Sequence, residues 1–149
     1  MHQYLYLIPA LPLIGFLVLS LAGKHLHKTF VAWLGAGTVC ASALITIVLG
    51  IEFFQNPPSS GAYAQLLWNW FSAGRLSVSV SFTADALTLV FIFIITFVGA
   101  LIHIYSTAFM RKDRDYARFF ACMNLFVCSM LVLVMADNLV LLYLGWEGV

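Results

Sequence analysis

Charge is what this sequence most lacks: Lys, Arg, Asp and Glu make up 9% of its 149 residues, against roughly 25% in a soluble domain. That shortage excludes a hydrated surface over the whole chain, since hydrophobic residues reach 63% and mean hydropathy is +1.01. A net charge of +1 gives no basic field for nucleic acid. Cysteine is scarce too: Cys40, Cys122 and Cys128 lie inside apolar runs without a CxxC pair or metal-ligand spacing, and read as small packing residues. His25 and His27, with no acid or cysteine beside them, are too few for a metal site. The sequence has no GxGxxG, no P-loop and no cysteine set for an iron-sulfur cluster, so any redox cofactor sits elsewhere.

What is present is a series of long apolar runs. Four of them, 4–22, 30–54, 86–110 and 119–135, approach or exceed the ~17 to 25 residues that cross a hydrocarbon core about 30 Å thick. A fifth starts at Asn138 and reaches Val149, a length of about 18 Å at 1.5 Å per residue. A helix stopping there would leave its last carbonyls unpartnered in mid-membrane, so the fifth reads as cut short and the chain as a fragment. No Lys or Arg precedes the first run, and Pro9 and Pro12 come early in it, which favours a retained helix over a signal peptide. The expected fold class is all-α: a polytopic transmembrane helix bundle, four full spans and a truncated fifth, forming a single membrane domain over 1–149.

The connections carry the orientation. Lys24 and Lys28 sit in the first, and Arg111, Lys112, Arg114 and Arg118 in or beside the third, while the second has only Arg75 and the fourth none. The positive-inside rule then puts these basic loops in the cytoplasm and the N-terminus outside, as expected for a multi-pass protein of a bacterial inner membrane. The second connection, 55–83, opens with Asn56, Pro57, Pro58, Ser59, Ser60 and Gly61 and then changes period. Leu76, Val78, Val80 and Phe82 alternate with Ser77, Ser79 and Ser81, the two-residue repeat of a half-buried strand. With 66–71 before it and Ser72, Ala73 and Gly74 between, an external β-hairpin is expected, with Trp68 and Trp70 at headgroup level.

Six residues are acidic. Glu52, Asp85, Asp113, Asp115 and Asp137 fall at expected helix ends or in connections, where water or a helix dipole can hold a carboxylate. Glu147 does not. It lies nine residues beyond Asn138, roughly 13 to 14 Å along the helix and close to the bilayer midplane. An ionised carboxylate there costs at least ~2.5 to 3.5 kcal/mol, so it must face protein or water. Low dielectric favours the neutral acid and a nearby cation the carboxylate; a group balanced between them can take up and release a proton. The alternative is a protonated Glu hydrogen-bonded for packing. All seven basic residues lie near helix ends or outside, so a basic partner would come from another chain or further sequence. Tyr143, one turn back on the same face, can hydrogen-bond to the carboxyl.

Other polar residues have two readings each. Thr96, Gly99 and His103 form a narrow stripe on the third helix, where His103 is either a proton relay or an interfacial packing residue. Asn124 and Cys128, like Ser42 and Thr46, are one turn apart and read first as packing positions, although a membrane-embedded amide at Asn124 needs a hydrogen-bond partner or a water. Asp85 suits the N-terminus of the third helix, and Asp137 and Asn138 read as caps of the fifth. Glu52 can reach the outer interface.

Several stretches carry a resemblance. Ala136-Asp137-Asn138-Leu139 followed by Leu142-Tyr143-Leu144-Gly145-Trp146-Glu147-Gly148-Val149 is similar to the fifth-helix motif, with its essential glutamate, of the antiporter-like, proton-translocating L subunits of NADH-quinone oxidoreductase, respiratory complex I. Leu101-Ile102-His103-Ile104-Tyr105-Ser106, Phe109-Met110, Tyr116-Ala117-Arg118-Phe119-Phe120, Asn124-Leu125-Phe126 and Ser129-Met130 extend the likeness along the chain. Ala86 departs from the Gly common in that family. The resemblance implies that Glu147 exchanges protons with a lysine on a later helix, driven by quinone reduction elsewhere. It also implies that NADH, FMN, iron-sulfur clusters and quinone belong to partner subunits, and that the partners are the lipid bilayer and the other membrane subunits of the complex. A related subunit of a multisubunit sodium/proton antiporter or membrane-bound hydrogenase is an alternative reading. A passive membrane scaffold is another.

Overall fold

The computed structural model describes residues 5–58, 60–73 and 76–149. Tyr4 at the expected start of the first span, Ser59, the turn residue Gly74 and the basic Arg75 lie outside the described residues. The chain runs α1 (Leu7–Ala22) with a short 3₁₀ turn (Gly23–His25), α2 (Lys28–Gln55), β1 (Ala62–Ala73), β2 (Leu76–Asp85), α3 (Ala86–Phe109), α4 (Tyr116–Met135) and α5 (Leu139–Gly148). The first four helices are long and apolar enough to cross a membrane. Their ends follow local chemistry: Asn56 and Pro57 stop α2, and the Asp85 carboxylate accepts the Thr88 N–H at 2.7 Å to start α3. α4 begins at Tyr116, nearly a turn before the expected 119, because Arg118 faces outward while Tyr116 and Phe120 pack inward.

α4 is the centre of the bundle and packs on α1, α2, α3 and α5. Its inward residues Phe120, Asn124, Cys128, Leu131 and Met135 recur at helical spacing. Glycines let the neighbours approach. A Cβ on Gly35 of α2 would stand 2.6 Å from the Phe120 ring, and one on Gly15 of α1 would stand 2.7 Å from the Asn124 amide oxygen. Not every cysteine packs as expected. Cys128 is buried, but Cys122 is exposed on the rim of α4.

The hairpin is antiparallel, with Ala62 opposite Asp85 and Trp68 opposite Val80. It is longer than the expected strands, and two register shifts, between Leu66 and Trp68 and between Asn69 and Phe71, bend β1. Val78, Val80, Phe82 and Ala84 of β2 are buried and Trp68 and Trp70 are exposed. Ser81 breaks the alternation by being buried as well; its hydroxyl donates to the Asp137 carboxylate at 2.8 Å. The hairpin thus lies beside the α4–α5 corner. At the opposite end, the Lys28 ammonium donates to the carbonyls of Arg111 and Asp113, joining the two basic connections. Among the described residues, every Lys and Arg is at this end.

Candidate functional site

α5 is placed by three local devices. The Asn138 side chain accepts the Leu141 N–H at 3.0 Å and donates to the Ser79 carbonyl at 2.7 Å, fixing the helix start against β2. Asp137, expected to cap α5 beside Asn138, instead accepts the Ser81 hydroxyl, because Ala136 pairs with Phe82 and turns the carboxylate toward the hairpin. Further along, a Cβ on Gly145 would stand 2.6 Å from the Leu133 backbone nitrogen, and one on Gly148 would meet the Ser129 side chain. Two glycines three residues apart therefore seat α5 against the α4 backbone.

That seat fixes where Glu147 points. Two residues beyond Gly145, it is rotated about 200° around the helix, away from α4, and it is exposed. Tyr143 and Trp146 share the outward side, 62% and 67% exposed. The Tyr143 hydroxyl lies close enough to the Glu147 carboxylate to interact with it. Glu147 has no ion pair with Lys or Arg among the described residues. A carboxyl beside one hydroxyl, on an otherwise apolar helix face, can bind and release a proton once that face is covered by protein or water.

His103 is elsewhere. It is fully buried on α3, its Nδ1 is 2.8 Å from the Gly99 carbonyl of its own helix, and its ring lies 6.0 Å from that of Phe120. Its Nε2 is buried with no hydrogen-bond partner among the described residues. The Thr96–Gly99–His103 stripe thus faces the bundle interior rather than the interface; Thr96 donates to its own helix at Ile92. Phe120, the aromatic neighbour of His103, is nine residues from Ser129, the neighbour of Gly148, or about 13 to 14 Å along α4. His103 and Glu147 occupy different levels.

Asn124 is fully engaged. Its amide nitrogen donates to the carbonyls of Gly35 (3.1 Å) and Phe120 (2.9 Å), and its oxygen accepts the Thr38 hydroxyl at 2.7 Å. Sequence reasoning missed Thr38, and it named Ser129 within the resemblance without its packing role; both roles depend on which helices meet. The two-glycine spacing in Gly145-Trp146-Glu147-Gly148 was the readable signal for the α5 seat. Asp85 stays at the helix cap, where the Thr88 N–H holds its carboxyl below the ordinary value of 3.8. Among the described residues no group of three or more His, Cys, Asp or Glu could hold a metal ion.

The comparisons with known proteins bear on the same segments. The family profile described as NADH-Ubiquinone oxidoreductase (complex I), chain 5 N-terminus, matches residues 70–120. NADH-quinone oxidoreductase subunit L of Escherichia coli is 45% identical over 93% of this chain, and that of Pseudomonas aeruginosa is 43% identical over 93%. NADH-ubiquinone oxidoreductase chain 5 of Chondrus crispus is 36% identical over 96%. The chain spans 22% of the length of the two bacterial relatives and 21% of the algal one. Four membrane-length helices, an intervening hairpin and these likenesses together assign the chain to the subunit L (chain 5) family of NADH-quinone oxidoreductase, the membrane-embedded antiporter-like subunits of complex I.

Proposed function

We propose that this chain is part of a proton-translocating membrane subunit of NADH-quinone oxidoreductase, and that Glu147 is its proton carrier. The observation that supports this most is the outward position of Glu147 on α5, set by the Gly145 and Gly148 seat. In hydrocarbon a bare carboxylate costs at least ~2.5 to 3.5 kcal/mol, so the α5 face has to be covered by a further helix of the longer protein or by another membrane subunit. A cation on that covering element favours the carboxylate, and its departure favours the acid. Proton exchange between the two groups follows.

Tyr143 supports the carboxylate as a donor. His103 is the further relay: a buried imidazole nitrogen without a hydrogen-bond partner among the described residues is a natural site for a bound water, which is the other half of a relay. Asn124 acts as a polar support, since its donors and acceptor already tie α4 to α2. NADH, FMN, iron-sulfur clusters and quinone act in the partner subunits, and quinone reduction there drives transport here. The setting is a bacterial inner membrane, with the N-terminus and hairpin outside and the basic connections cytoplasmic. Residues 1–149 form a single membrane domain in this reading.

The test is proton pumping coupled to NADH oxidation, in membranes carrying the full-length subunit with Glu147→Gln at matched assembly. Gln keeps shape and hydrogen bonding and removes ionisation. Pumping is expected to be lost; unchanged pumping would favour a passive scaffold.

A further inference from the structure

At the basic end of the bundle, a cleft of about 550 Å³ opens between the last turns of α1 and the first turns of α4. Its lining is divided. Phe16, Leu19 and Cys122 form an apolar half, and Lys24, Arg114 and Arg118 form a charged half. All three cations are exposed, and none has an ion pair among the described residues. Lys28 also lines the cleft but is held by the Arg111 and Asp113 carbonyls. Asp115 is the one acid in the lining, so positive charge is in excess.

We propose that this cleft binds an anionic phospholipid, with the phosphate between Lys24, Arg114 and Arg118 and one acyl chain along Phe16 and Cys122, over the buried Leu19. A free anion needs only the charged half. The apolar half, at the level where membrane-crossing helices end, is explained by a ligand that carries its own hydrocarbon. Charge complementarity selects an anionic headgroup over a zwitterionic one.

Cys122 gives a local readout, because it is exposed and lies in the apolar half. The assembled complex with the full-length subunit is delipidated in detergent. Maleimide alkylation at Cys122 is then followed by peptide mass spectrometry during titration with phosphatidylglycerol, phosphatidylcholine or inorganic phosphate. Phosphatidylglycerol is expected to slow alkylation at far lower concentration than phosphatidylcholine, and inorganic phosphate to leave it unchanged. Each cation removed weakens protection roughly fivefold, so Lys24→Gln with Arg118→Gln shifts the titration about 25-fold, while Lys112→Gln, outside the cleft, does not. Equal protection by both lipids, protection by inorganic phosphate, or an unshifted double variant would overturn the proposal. So would a Cys122 that resists alkylation without lipid, which would mean that protein fills the cleft.

Discussion

The hydroxyl of Ser42 on α2 donates to the carbonyl of Ile8 on α1 over 2.8 Å, deep in the bundle. Ile8 is four residues before Pro12, which has no N–H to complete the helical bond. The carbonyl that proline frees is the one that Ser42 satisfies, so a local defect in α1 becomes a link between two helices.

Ser42→Ala is therefore expected to destabilise the full-length subunit by about 1 kcal/mol, within the range for hydrogen bonds between membrane helices. In a Pro12→Ala background the loss should shrink, because the substituted residue brings the backbone N–H that proline lacks. A double-mutant cycle of unfolding in detergent measures this coupling, and additive losses would contradict it.

Gly145→Ala and Gly148→Ala should differ in how they can be rescued. The added methyl at 145 meets the Leu133 backbone, which cannot be trimmed, whereas at 148 it meets the Ser129 side chain. Each substitution should cost about 1 to 3 kcal/mol. Ser129→Gly should restore assembly of the Gly148→Ala variant and do nothing for Gly145→Ala, as read by the yield of assembled complex.

Much of this arrangement was legible in the sequence, because hydropathy and period report what each segment needs from its surroundings. The five helices and the hairpin came from apolar run length and a change of period. What was not legible depended on contacts between distant segments. Asn124 finds its partners at Gly35 and Thr38, up to 89 residues away. Asp137 has a cap-like position but turns to Ser81, because a bridge between Ala136 and Phe82 orients it. The early turn of α4 was hidden by Arg118, which lowers local hydropathy although its neighbours pack inward.

Asn124→Leu keeps bulk but leaves the Gly35 carbonyl and the Thr38 hydroxyl without this partner. It should destabilise more than Thr38→Val, which removes one of the three bonds; the expected difference is about 1 kcal/mol in thermal or denaturant unfolding. Equal losses would show that the Thr38 bond alone matters.

Asp85 should give α3 a pH-dependent start. Its folded carboxyl is held below the ordinary 3.8, so the cap contributes above that value and is lost as pH falls through the lowered one. Asp85→Ala should speed hydrogen exchange at Thr88 roughly two- to fivefold at neutral pH, and the ratio to the parent should approach one once pH has fallen through the lowered pKa of the carboxyl. Asp85→Asn, a cap that does not titrate, should keep slow exchange at both. A constant Ala-to-parent ratio across this range would refute the carboxylate as the capping species.

Protonation of Glu147 is read most directly by difference infrared spectroscopy on the complex containing the full-length subunit, comparing resting enzyme with enzyme turning over NADH. A protonated-carboxyl band that changes on turnover and is absent in Glu147→Gln is the predicted result. The same band persisting unchanged in Glu147→Gln would contradict the account, because the group that gains and loses the proton would then lie elsewhere.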